Sequence, residues 1–225
     1  ARLTAEYVRV GAQAAAAEMI RTGSTFAADM YFHPSVTGKV LDDAGLRGLI
    51  GGPVSDFALP SHDSATSALA EMDQLLQQNS PSNRIDYAIA THSVYLCEEE
   101  TLRKASQLAA KRKARLHIHV SETRKEVAEH HAKTGLYPVE YLDSIDFFQE
   151  GTICAHASWV KKNEIRILAK HQATTVHCPS SNMKLACGGT LSLPAYRDAG
   201  VDVRLGTDGA ASSGSGLDIL AEARL

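Results

Sequence analysis

What this 225-residue sequence lacks narrows its class first. No apolar run approaches the roughly 20 residues of a membrane-spanning helix, so a membrane is not an expected partner. There is no basic tract and the formal net charge is −3, which sets aside nucleic acid and anionic lipid as main partners. Cysteine is scarce. Cys97, Cys154, Cys178 and Cys187 are scattered without a C-x-x-C pair, the pattern of reduced thiols in a cytoplasmic protein rather than of a disulfide framework. The opening "ARLTAEYVRVGAQAAAAEMI" interleaves charges with alanines like an amphipathic helix and does not read as a signal peptide. No G-x-G-x-x-G follows a candidate strand and no phosphate-binding loop is present. The H-x-E with P-C-x-x-C of the cytidine-deaminase type of zinc site is missing too. With no linker, repeat or low-complexity segment, a single domain over residues 1–225 is expected.

What is present is an alternation of short apolar runs and helical patterns. The spacing predicts strands at 25–32, 47–54, 84–93, 114–122, 151–159, 173–179 and 201–209. Helices are expected at 4–22, with Thr4 as N-cap and Gly23 as stop, and at 35–44, 64–79, 97–112, 124–134, 137–145, 161–171 and 191–199. The turn "NSPSN" separates the third helix from the third strand. Seven strands alternating with helices imply a parallel sheet covered by helices, either doubly wound or closed into a barrel. His92, His119, Glu122, His156, His177 and Asp208 all fall at or just after the C-terminal end of a predicted strand. A barrel gathers those ends at one mouth, whereas an open sheet spreads them along an edge, so the barrel is favoured.

The stretch "ARLHIHVSETRKE" carries the sharpest chemical signal. Burying imidazole and carboxylate in an apolar run is costly unless they are paired or metal-bound. A neutral imidazole at His119 suits zinc, and a carboxylate at Glu122 that is not itself a ligand can shuttle protons beside it. Asp208 stands in "LGTDGAASS", His156 ends "GTICAH" and His177 ends "ATTVH". Taken singly, each also reads as a hydrogen-bonded strand end or, for Asp208, a helix N-cap. Together they supply a zinc-type ligand set and a spare acid–base pair, as needed to activate water. His62, His130, His131 and His171 fall in predicted loops or helices and read as solvated.

The segments "ADMYF", "THSVYLCEEE", "HIHVSETRKEV", "AHASWV", "VHCPSSNMKLACG" and "LGTDGAASS", in this order and spacing, resemble the amidohydrolase superfamily. Within it, the chain is similar to nucleoside and base deaminases of the 5-methylthioadenosine/S-adenosylhomocysteine type. The resemblance implies an α/β fold, a (β/α)8 TIM barrel of the metal-dependent hydrolase kind. It implies His119 and Asp208 as metal ligands, Glu122 as the acid–base residue that protonates a purine ring nitrogen, and His156 as the residue that orients or deprotonates the attacking water. Asp208 also accepts a proton in that scheme. His92, with Glu122, contacts the substrate, and His117 packs in the core. The cofactor implied is zinc, or iron or another divalent metal, one per subunit, because "YAIATHS" lacks the lysine that binuclear members use. The activity implied is hydrolytic deamination of an adenine-type nucleoside with release of ammonia. A free purine or a triazine-like ring as substrate, and a catalytically inert metal-free fragment, remain alternatives.

Two departures from the family pattern shape further expectations. The H-x-H of the family's first barrel strand has no counterpart, since the only such pair, His117–His119, lies in the fifth. The chain is therefore expected to be a partial barrel, strands 2–8, binding metal poorly with two ligands. Its outer strands should have unpaired edges, and a homo-oligomer is expected. An arginine that some family members place near Gly52 to contact substrate is absent, leaving neighbouring substrates open.

Overall fold

The computed structural model describes residues 3–78, 80, 82–213 and 216–225. The predicted "NSPSN" turn falls partly on Asn79 and Pro81, outside the described residues. Eight strands are described: β1 (Phe26–Met30), β2 (Arg47–Gly51), β3 (Pro53–Val54), β4 (Ile85–Thr91), β5 (Arg115–Val120), β6 (Ile153–His156), β7 (Thr174–His177) and β8 (Asp202–Leu205). They form one parallel sheet in the order β1-β2-β4-β5-β6-β7-β8, with β3 also on β4. Successive strands are neighbours and helices return the chain between them, so the sheet curls as a partial α/β barrel. Among the described residues, β1 and β8 each pair on one side only, as expected for an incomplete barrel.

Local sequence explains the elements. The first helix, Ala5–Thr22, starts where the Thr4 side chain accepts a hydrogen bond from the Tyr7 N–H and stops at Gly23, whose φ of 83° is left-handed. Ser64 and Thr123 cap Ala65–Gln77 and Arg124–Thr134 in the same way. Strand side chains alternate between two environments. Ile50, Ile89, Leu116, Ile118, Val120 and Cys154 point outward into a core shared with Met72, Leu102, Leu142 and Leu168 of the surrounding helices. Leu49, Ala88 and Ile153 line the concave side, with Val176 packed on them.

Three features depart from the sequence expectations. The second predicted strand is broken at Gly52, whose N–H donates to the Met72 sulfur at 3.2 Å. The β2–β4 and β3–β4 registers remain in phase across the break. Gly52 packs on Met72 and Pro34, in the layer between sheet and helices, so the lack of an arginine there says nothing about the mouth. His130 is buried edge-on against Tyr141, and His62 and His171 bond Glu71 and Asp143, rather than standing in solvent. Short helices also occur at Pro179–Lys184, Ala210–Ser213 and Ile219–Glu222. Beyond β8 the chain returns to the first helix, where the Leu217 carbonyl accepts from the Thr22 and Ser24 hydroxyls, both at 2.8 Å, and its N–H donates to Glu18.

Asp29 pairs in register with Ile50 and so faces the helix layer. Its Oδ2 is closed off from water without a partner, and burial pushes the carboxyl up to about 6. The folded chain therefore keeps this proton after the unfolded chain, with an ordinary carboxylate near 4, has lost it. Stability is full below about pH 4 and falls as pH rises toward 6, by up to about 3 kcal/mol. Asp29→Asn should flatten that stretch of the pH–stability curve and raise stability at pH 7 by about 1–3 kcal/mol, read from urea midpoints.

Candidate active site

The sheet aims one edge of β5 at the mouth of the curl. Leu116, Ile118 and Val120 anchor its outer face, which turns His117 and His119 to the concave side. His117 lies deeper and is buried, its ring 5.9 Å from that of His119. Burial, then the neighbouring His119, lowers His117 to about 3. The His92 carbonyl, just past β4, accepts the backbone N–H of His119 at 3.1 Å and its ring Nδ1–H at 2.8 Å. A carbonyl partner puts the proton on Nδ1 and leaves Nε2 as the bare nitrogen. Burial, reinforced by His156, also lowers the His119 pKa, so the ring is neutral. A neutral imidazole steadied through its other nitrogen is the usual state of a metal-binding histidine. The His92 ring sits 5.1 Å from that of His119 and is itself lowered to about 4, first by burial.

Glu122 and His156 meet across the ends of β5 and β6. Their registers, with His119 level with Ala155 and Val120 with His156, bring the following residues side by side. Glu122 Oε2 lies 3.8 Å from His156 Nε2. The His156 ring stacks 5.6 Å from that of His119. His156 Nδ1–H donates to Asn182 Oδ1 at 3.0 Å, and Asn182 Nδ2 donates to Ser158 Oγ at 2.8 Å, which orients the ring with Nε2 facing Glu122. The other Glu122 oxygen, Oε1, accepts from the Cys187 thiol at 3.6 Å. The Cys187 backbone carbonyl is in turn held by the Trp159 indole at 2.8 Å. Burial pushes the Cys187 thiol up to about 11, so it serves as a donor and not as a nucleophile.

Asp208 follows β8. Its Oδ2 accepts from the Ser181 hydroxyl at 2.6 Å and its Oδ1 from the Gly209 N–H at 2.6 Å. Ser181 and Asn182 are adjacent, so the Pro179–Lys184 helix ties Asp208 and His156 to one element. Asp208 is close enough to His119 to act on its charge. The structure thus brings His92, His119, Glu122, His156 and Asp208 to one mouth, whereas His177, at the end of β7, has Glu222 as its leading electrostatic neighbour. Ser121, His156, Ala157 and Asp208 all hold left-handed backbone, with φ of 51°, 67°, 44° and 58°. Such conformations cost on the order of 1–3 kcal/mol each and gather where a side chain must be aimed against local preference.

His119 and Asp208 are donors of the kinds that hold zinc. Among the described residues, no group of three or more His, Cys, Asp or Glu side chains gathers as a metal cluster. The supporting residues Ser181, Asn182, Cys187 and Trp159 were not singled out from sequence. Their signal in the sequence is that they fall within the quoted segments "AHASWV" (Trp159) and "VHCPSSNMKLACG" (Ser181, Asn182 and Cys187).

Comparison with known proteins places these features in context. The model of the amidohydrolase family matches residues 2–225. The chain is 40% identical over its whole length to 53% of a protein named 5-methylthioadenosine/S-adenosylhomocysteine deaminase in Thermococcus kodakarensis. It is 40% identical, over 99% of its length, to 52% of a 5'-deoxyadenosine deaminase in Methanothermobacter thermautotrophicus. The chain therefore spans about half the length of the curated relatives it matches. Among solved structures, an adenosine deaminase from Xanthomonas campestris with bound zinc superposes with a TM-score of 0.94 at 32% identity, over 99% of this chain and 50% of that one. A zinc complex of atrazine chlorohydrolase from Arthrobacter aurescens superposes at 0.89 and 22% identity over 99% of this chain and 53% of that one, which shows the shared fold alone.

Asn182→Ala leaves the buried His156 Nδ1–H without its acceptor. The variant should lose about 1–3 kcal/mol of stability, and the downfield Nδ1 proton of His156 should broaden or vanish from the NMR spectrum while the remaining amide spectrum persists.

Proposed function

The chain belongs to the amidohydrolase family, and on that premise we propose that it provides the deaminating half-site of a zinc-dependent enzyme that hydrolyses an adenine-type nucleoside, of the 5-methylthioadenosine/S-adenosylhomocysteine kind, to the oxo nucleoside and ammonia. The observation that carries the reading is the facing of Glu122 Oε2 and His156 Nε2 at 3.8 Å beside the neutral ring of His119. The names of the relatives at 40% identity support the nucleoside as substrate class.

His119, through Nε2, and Asp208, through a carboxylate oxygen, would hold the metal. When bound, zinc acts as a Lewis acid that brings the pKa of water toward about 7. Glu122 is the group that moves protons. It takes one from the attacking water and gives it to the ring nitrogen beside the amino-bearing carbon, then takes the remaining hydroxyl proton and passes it to the amine, which leaves as ammonia while the carbon–oxygen bond becomes a carbonyl. The Cys187 thiol on Oε1 keeps Oε2 as the oxygen offered to substrate. His156, oriented by its Nδ1 bond to Asn182, presents Nε2 to the attacking water and fixes its direction of approach. Asp208 serves as the second base. His92, beside His119 at the rim, contacts the substrate. Among the described residues no helix is long and apolar enough to cross a membrane.

The test supplies zinc to the enzyme in which this half-site is joined to its remaining metal ligands and follows ammonia release from 5-methylthioadenosine, S-adenosylhomocysteine, 5'-deoxyadenosine, adenosine and guanine. Release from the adenine nucleosides and a loss of about 10²–10⁴-fold in Glu122→Gln are expected. His119→Ala should lower the zinc retained after dialysis. Activity on guanine alone, or an unimpaired Glu122→Gln, overturns the reading.

A further inference from the structure

We propose that Glu126 is the positioning residue for Glu122, an inference that rests on the acid–base role assigned to Glu122 above. The sequence around it, "ETRKE", has the form of a capping box, with Thr123 at the N-cap of Arg124–Thr134 and Glu126 three residues on. The Thr123 hydroxyl accepts the Glu126 N–H at 3.0 Å, as such a box requires. The reciprocal contact differs. In the usual arrangement the glutamate carboxylate returns to the N-cap amide. Here its two oxygens also accept the backbone N–H groups of Ser121 and Glu122, the two residues before the N-cap, each at 2.8 Å.

The geometry makes this more than a helix start. Ser121 follows β5 with a left-handed φ of 51°, an unfavourable conformation for a serine, and its amide is one of the two held. That kink turns the chain off the strand, so that the next side chain, Glu122, lies against His156 and Cys187 instead of continuing the strand direction. Glu126 is buried. Burial pushes its carboxyl up to about 7 against the opposing pull of the amides of Glu122, Ser121 and Thr123. Helix capping involves only the N-cap amide of Thr123 and gives no reason for a buried carboxylate to hold the two residues before it as well. Fixing where Glu122 presents its carboxyl does, because a misplacement on the order of 1 Å can cost about 100-fold in rate.

Two substitutions separate positioning from helix stability. Thr123→Ala removes the N-cap bond and leaves the grip on the amides. Glu126→Gln keeps the side-chain length but puts an N–H₂ group against one of the two N–H donors. In Glu126→Gln, kcat for the adenine nucleoside should fall by about tenfold or more with KM within about threefold, and hydrogen exchange at the Ser121 and Glu122 amides should quicken by about tenfold. In Thr123→Ala, the melting temperature should fall while kcat stays within about twofold. A Glu126→Gln variant with kcat within twofold of the parent, or kcat losses in both variants that follow their melting temperatures, overturns the proposal. If the parent protein turns over no purine nucleoside, the functional reading fails on its own. Exchange at the two amides then still decides the structural claim, and unchanged rates in Glu126→Gln overturn it.

Discussion

The parallel pairing of β5 between β4 and β6 is the constraint on which the rest of the site depends. Register places His119 one step beyond the paired stretch of β4, where the His92 carbonyl takes both its amide and its ring proton. The same register sets Val120 level with His156, so the residues that follow, including Glu122, leave the sheet beside that imidazole. A slip by one residue would turn both histidines of β5 into the helix layer and bring Leu116, Ile118 and Val120 to the mouth. The fully buried outer face of β5 opposes that slip, so apolar packing on one side of the strand secures polar chemistry on the other.

A site assembled this way carries costs that its surroundings offset. Histidines 92, 117 and 119 are all driven toward the neutral form, chiefly by burial, which removes mutual repulsion and leaves lone pairs available. Left-handed backbone at Ser121, His156, Ala157 and Asp208 opposes intrinsic preference, and each position is tied down nearby. Glu126 holds the Ser121 amide, the Val120 carbonyl accepts the Ala157 N–H, the Ala157 carbonyl accepts the Tyr196 hydroxyl at 2.6 Å, and Ser181 holds Asp208. Among the left-handed non-glycine positions of the described residues, Ser121, His156, Ala157 and Asp208 lie at the site or next to it in sequence. Strain here is what aims side chains across strand ends that would otherwise diverge.

Much of this was legible in the sequence, for identifiable reasons. Polar residues at the ends of apolar runs stand out because burying them needs justification, and that contrast singled out His119, Glu122, His156 and Asp208. Helix limits such as Thr4 and Gly23 follow from local backbone chemistry. What escaped depends on partners distant along the chain. The break at Gly52 comes from the Met72 sulfur, 20 residues on. Cys187 meets Glu122 across 65 residues and Asn182 meets His156 across 26, and no local pattern announces either contact. His130 looked like an exposed helical histidine, yet it is covered because Tyr141, on the next helix, lies against it. Glu126 was not singled out either, because which amides its carboxylate holds depends on the turn of Ser121.

The clasp at Leu217 has a bearing on how the molecule is made. Its carbonyl and amide are held by Thr22, Ser24 and Glu18, up to 199 residues away. A nascent chain emerging from the ribosome therefore completes its first helix and first strand long before the segment that secures them exists. Those early elements must wait, held by the β1–β2 ladder and the helix Pro34–Asp43, until the segment around Leu217 folds back across them. The packing of Ala5–Thr22 is therefore completed only once Leu217 has been made.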